Sequence, residues 1–319
     1  MLDFYNEPKF LSGYFCGSIA GYADHIYYSM KYISLSILIL ISFFTLSSMK
    51  RADEWTVLLD KDLSKWESYL SYRHKNGYNG KIPKDASGAD IAPIGYNKDD
   101  THVFSILNEP GGPVLRVNGE IYGCLISRKI YENYHLKLQV KWGKEKYEPR
   151  MDKLRDSGIL YHSTGEAGAE YWRTWMRSQE FQIMEGHMGD YWCQANSAID
   201  IRSFPSEGVM NRVADEKQPY GVFKSGSDYF CLRSVDYEKP AGAWNTLELI
   251  CVNGKSLHIV NGHVVMVLNN SRYIESDGKE VPMTSGKIQL QSEAAEVFYK
   301  DIRIKPLSAM PKEYEKLFL

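Results

Sequence analysis

The stretch from Thr246 to Leu268 reads TLELICVNGKSLHIVNGHVVMVL. Its apolar residues recur with a period near two, and Asn261-Gly262 is the dipeptide that accepts positive φ at both central positions of a tight hairpin turn. Strands are therefore expected over Thr246–Val252, Ser256–Val260 and His263–Leu268. Working outward, the same alternation returns at Tyr134–Trp142, Gln179–Glu185, Lys287–Gln291 and Val297–Ile304. Almost no segment keeps the 3.6-residue period of an amphipathic helix. A series of short strands without intervening helices predicts an all-β sandwich of two packed antiparallel sheets. The polar stretch Tyr72–Asp100 and the charge-dense stretch Lys144–Arg155 are expected to be long loops over the sheets, and such loops are usually functional.

With 44% hydrophobic and 24% charged positions among 319 residues, the chain has the composition of a globular protein able to build one large core. A net charge of −2 without a basic block argues against nucleic acid or an anionic membrane as partner. Near the start, Met30-Lys31-Tyr32 precedes the apolar run Ile33–Leu46 and the polar Ser47–Ala52. That is the layout of a secretory signal peptide, and the run is shorter than the roughly 20 apolar residues of a spanning helix. Met30 is the expected true start. Residues 1–52 are then an upstream extension plus signal, and 53–319 form a single domain of a soluble periplasmic or secreted protein. Cys124, Cys193, Cys231 and Cys251 match no zinc spacing and lie in apolar stretches, so buried free thiols are favoured over disulfides.

The sharpest chemical pattern is Glu180-Phe181-Gln182-Ile183-Met184-Glu185. Strict alternation sends Glu185 to the face opposite Glu180 and Gln182, whereas a β-bulge between Gln182 and Glu185 would gather all three on one face. Paired carboxylates there could serve as acid, base or nucleophile. The spacing E-x-Q-x-x-E is similar to the E-x-D-x-x-E strand of laminarinase-like retaining glycosidases, with Gln182 standing where the aspartate would be. Upstream, His162 ends the segment RDSGILYH and can titrate near neutrality. Trp172, Trp175 and Trp192 are aromatic candidates for stacking on sugar rings. His187 and Asp190 could join Glu185 around a divalent metal ion, although no spacing rule marks such a site.

These same residues give the chain its resemblance to the 3-keto-disaccharide hydrolase family. The carriers are WTVLLD at Trp55–Asp60 with Leu63 and Trp66, RDSGILYH ending at His162, EFQIMEGHMGDYW ending at Trp192, GKIQLQSE ending at Glu293, and DIRIKPL ending at Leu307. Many relatives carry an aspartate and a histidine where Ser292 and Glu293 stand here. The resemblance implies a concanavalin-like jelly roll acting on glycosides oxidised to a ketone at C3. A C3 ketone acidifies the C2 proton, so a base can remove it and the C1 substituent can leave, after which water adds back. The expected roles are Glu180 or His162 as base and acid, with Glu185 completing that pair or binding a metal. Asp156, Gln182, His187, Gln291 and Glu293 are expected to bind substrate. Two alternatives remain open on the sequence: a laminarinase-like glycosidase and a non-catalytic carbohydrate-binding module.

Overall fold

The computed structural model describes residues 54–169, 174–205 and 211–319. The signal peptide, the start at Met30 and Trp172 lie outside the described residues. Each expected strand is present, several with longer ends: Tyr134–Lys146, Arg177–Met184, Asn245–Val252, Lys255–Val260, His263–Ile274, Lys287–Ser292 and Ala295–Pro306. The hairpin at Asn261-Gly262 has φ of 50° and 84°, the left-handed pair its sequence requires.

Two antiparallel sheets form the jelly-roll sandwich. The back sheet runs Phe104–Glu109, Gly112–Val117, Ala295–Pro306, Tyr134–Lys146, Asn245–Val252, Lys255–Val260, His263–Ile274, Ser197–Pro205 and Tyr220–Lys224. The front sheet runs Gly95–Tyr96, Trp66–Leu70, Gly123–Ser127, Lys287–Ser292, Asp156–Thr164, Arg177–Met184, Tyr191–Gln194 and Phe230–Leu232. Ser197–Pro205 also pairs with the short Arg212–Ala214 of the front sheet, which joins the two layers.

Alternation explains the core. Along Tyr134–Lys146, Leu136, Leu138 and Val140 point inward, while His135, Lys137, Gln139 and Lys141 point outward. They meet Ile159, Phe181, Ile183 and Leu290 of the front sheet. Burying each such side chain contributes about 1.5–3 kcal/mol. A helix at Lys312–Glu315 and the turn after it bring Tyr314, Leu317 and Phe318 against Ile250, Val252 and Ile259. The four cysteines are buried free thiols.

The front sheet differs in one respect that matters for function. Asp156–Thr164 and Arg177–Met184 are buried on both faces, yet their outward face carries Asp156, Glu180 and Gln182. Polar groups are costly to bury unless something satisfies them.

Candidate active site

Register assembles the site. In Arg177–Met184, Phe181 and Ile183 enter the core, so Glu180, Gln182 and Met184 follow one another on the outer face. Across one neighbouring strand, Asp156 pairs with Met184 and Gly158 with Gln182; across the other, Trp192 pairs with Glu180. One strand further, Glu293 bridges to Asp156, and Gln291 stands two residues before it. Together with Arg150, Trp175 and Gln194 these side chains line a cavity of about 150 Å³.

Gly158 sits at the centre because no side chain fits there. A methyl group on its Cα would overlap Glu180 Oε1 and Gln291 Oε1. Gly158→Ala is therefore expected to displace both side chains and cost about 1–3 kcal/mol as overpacking. A melting curve and activity indistinguishable from wild type would show that the cavity is looser than this.

Arg150 arrives on the charged loop. Tyr147 N–H donates to the Ala294 carbonyl at 2.9 Å, and Arg150 N–H donates to the Tyr147 carbonyl at 2.8 Å. The guanidinium Nη2 then reaches Asp156 Oδ2 at 2.5 Å and Glu293 Oε1 at 2.6 Å. On the opposite side, Gln194 Nε2 donates to Glu180 Oε2. Trp175 is buried and its Nε1 donates to the Gly123 carbonyl at 3.1 Å, while Trp192 stacks on Phe230 at 5.0 Å.

Three buried carboxyls line one cavity whose single guanidinium pairs with two of them, so they cannot all ionise freely. Burial pushes Glu180 up to about 8, against a hydrogen bond from Gln194, and Glu293's charge adds to the rise. Burial and then Glu293 raise Asp156 well above the usual carboxylate range, with Arg150 opposing. Burial also raises Glu293, again against Arg150. Arg150 stays cationic because Glu293 and Asp156 outweigh the cost of its burial.

Glu180 binds its proton more tightly folded than unfolded, so its contribution is complete below the unfolded value near 4.5 and is lost as pH rises through about 8. Asp156 and Glu293 are raised too and act in the same direction. The melting temperature is expected to fall between roughly pH 5 and pH 9, and Glu180→Gln to flatten that fall. Identical pH profiles for the two proteins would mean that Glu180 is not buried as a neutral acid.

Several expected site residues lie elsewhere. No bulge separates Gln182 from Glu185; the strand pairs regularly to Met184, and Glu185 follows it, bound to Arg155 Nη1 at 2.8 Å. Alternation simply continues, so the expected convergence of Glu185 with Glu180 and Gln182 does not occur. The irregularity in this pair of strands lies between Tyr161 and Thr164, at His162, which adopts a left-handed φ of 52°. His162 is buried, edge-on to Tyr134 and Tyr161, and burial pulls it down to about 4. It lies outside the cavity lining. His187 turns to Asp190 at 3.0 Å, and Asp190 is held by Arg233 at 3.1 Å, so Glu185, His187 and Asp190 do not gather around an ion. Among the described residues, no group of three His, Cys, Asp or Glu side chains is arranged to hold a metal.

The cavity thus brings together Asp156, Trp175, Glu180, Gln182, Trp192, Gln291 and Glu293, and adds Arg150, Met184 and Gln194, which sequence reasoning missed. Gln194 was within reach, since it follows Trp192 by two residues on an alternating strand. Nothing in the run Lys144–Arg155 singles out Arg150 from its charged neighbours.

A family model described as 3-keto-alpha-glucoside-1,2-lyase-like domain matches residues 54–305. No match was found among curated proteins. Among solved structures, the chain is similar to a "putative glycosyl hydrolase" from Parabacteroides distasonis, with 19% identity, 81% of this chain and 95% of that one covered, and a TM-score of 0.43. It is also similar to a protein of unknown function with a galectin-like fold from Bacillus subtilis, with 11% identity, 80% and 96% coverage, and a TM-score of 0.41. A third is LamAcat from Zobellia galactanivorans, with 9% identity, 81% and 99% coverage, and a TM-score of 0.40.

Proposed function

The chain belongs to the family of 3-keto-alpha-glucoside-1,2-lyase-like domains, a carbohydrate-active class, and from that premise we propose that it cleaves the glycosidic bond of sugars oxidised to a ketone at C3. The observation that carries this reading is the cavity itself. Three carboxyls, three amides and one guanidinium converge between two tryptophans. Its roughly 150 Å³ is well below the roughly 300–1,000 Å³ of sites for drug-sized ligands, which suits one ring with the aglycone outside.

The chemistry follows from the substrate. Removing the C2 proton generates an enolate delocalised onto the C3 oxygen. Expelling the C1 substituent then needs a proton for the departing oxygen, and water adds back to the resulting double bond. Carboxyls held in different surroundings, Glu180 among amides and Asp156 against Arg150, supply both functions from one residue type. A non-catalytic sugar-binding module would need the tryptophans and amides, but not a buried neutral acid beside a cation-bridged carboxylate pair.

The test compares turnover of a methyl 3-keto-glucoside with that of its unoxidised parent. The proposal expects release of methanol from the ketone alone; equal release from both would point to an ordinary glycosidase, and release from neither to a binding module. We also propose that the chain is exported behind the signal beginning at Met30. N-terminal sequencing of the exported product should then begin between Ser48 and Asp53, and a product still carrying Asp3 would contradict it.

A further inference from the structure

Two kinds of carboxyl share the cavity. Glu180 is surrounded by amides: Gln194 donates to it, Gln291 meets it over Gly158, and Gln182 follows it on the strand. Among the described residues Glu180 makes no ion pair. Asp156 and Glu293 face each other across a strand pair and both accept from Arg150 Nη2. Asp156 is 3% exposed, and its Oδ1 lines the cavity without a hydrogen-bond partner, as does Gln182 Oε1 at 7%. With Gln291 Oε1, that makes three buried, unsatisfied acceptors in one small cavity, which are costly unless a ligand supplies the protons.

We infer that the cavity divides the acid and base roles between these sets: Asp156, ion-paired to Arg150, removes the C2 proton, and Glu180, set among amides, protonates the departing glycosidic oxygen. The assignment rests on the keto-sugar reading above. Asp156 Oδ1 takes the proton, and the C–H electron pair forms the C2–C3 enolate. As the C3 carbonyl reforms, the pair moves to make the C1–C2 double bond and the C1–O bond breaks. The leaving oxygen takes Glu180's proton. Water then adds its hydroxyl to C1 while Asp156 returns its proton to C2, and Glu180 recovers a proton from that water. Arg150 acts as a positioning residue, because it orients Asp156 and favours its carboxylate form without needing to meet the reacting atoms. Glu180 is less suited to the base role because Arg150 favours its anion only at a distance, whereas Asp156 has the guanidinium in direct contact.

The experiment follows a methyl 3-keto-glucoside in D2O by NMR, reading deuterium at C2 of unreacted substrate separately from cleavage. Asp156→Asn should lose both, each by roughly 100-fold or more. Glu180→Gln should lose methanol release but keep C2 exchange, and should regain cleavage when the aglycone is 4-nitrophenol, which leaves without a proton. In Arg150→Gln the acidic limb of the pH-rate profile should move to higher pH, because Asp156 loses the cation that favours its ionised form. Wild-type exchange in Asp156→Asn, or loss of exchange in Glu180→Gln, overturns the division. Should Asp156→Asn prove unfolded, an unmoved acidic limb in Arg150→Gln overturns it instead. If the wild-type protein itself neither exchanges nor cleaves the ketone, the keto-sugar reading fails, and that outcome is distinct from a wild type that exchanges while the variants behave otherwise.

Discussion

Replacing Glu180 with glutamine is expected to lower turnover of a 3-keto-glucoside bearing a poor leaving group by roughly 10²–10⁴, the usual contribution of a positioned general acid or base. The change keeps the side chain's shape and its place over Gly158, so the cavity should remain intact. It removes the proton that a neutral carboxyl can donate, and an amide cannot replace it at neutral pH. Folding should survive, because the buried group is already largely uncharged in this surrounding, with burial pushing it up to about 8. The melting temperature must be measured with the rate, so that unfolding is not read as lost chemistry. A variant that retains more than about a tenth of the wild-type rate would remove Glu180 from the reaction, given the loss expected of a general acid.

Arg150→Met should act mainly through stability, and with a marked pH dependence. The arginine is the shared partner of Asp156 and Glu293, which stand opposite each other in the sheet. Removing it leaves two like charges buried in one small space, and breaking a buried pair in this way costs about 3–5 kcal/mol. Protonation offers relief: without the cation both folded-state pKa values rise further, so the stability tied to them is present at low pH and lost as pH increases. The variant should therefore melt much closer to wild type near pH 5 than near pH 8, as the linkage sign requires. Equal destabilisation at both values would mean that Arg150 contributes packing rather than charge.

Legibility in the sequence followed burial. Tyr134–Lys146 and Asn245–Val252 alternate visibly because the outward face of the back sheet is largely half-exposed, and the polar members mark it. In Arg177–Met184 both faces are buried, so polarity rather than exposure carried the signal; it located Glu180 and Gln182 but not the end of the strand. Glu185 looked like a third member of that face only if a bulge intervened. Simple alternation was correct, and the residue belongs to Arg155. The real bulge, at His162, has no glycine to announce it, and a lone histidine within an apolar strand is a weak signal even though histidine enters the left-handed region more readily than most residues. Arg150 is held by contacts far apart in the chain, from Tyr147 to Ala294 and from its own guanidinium to Glu293. Such closure depends on tertiary register, which local patterning does not encode.

The most direct test of the account is a crystal structure of Glu180→Gln with an intact methyl 3-keto-glucoside. The account predicts the keto ring inside the cavity, C2 facing Asp156 Oδ1, the glycosidic oxygen at residue 180, and ring faces against Trp175 or Trp192. A sugar seated outside this cavity, at Glu185 or beside His187, would contradict it.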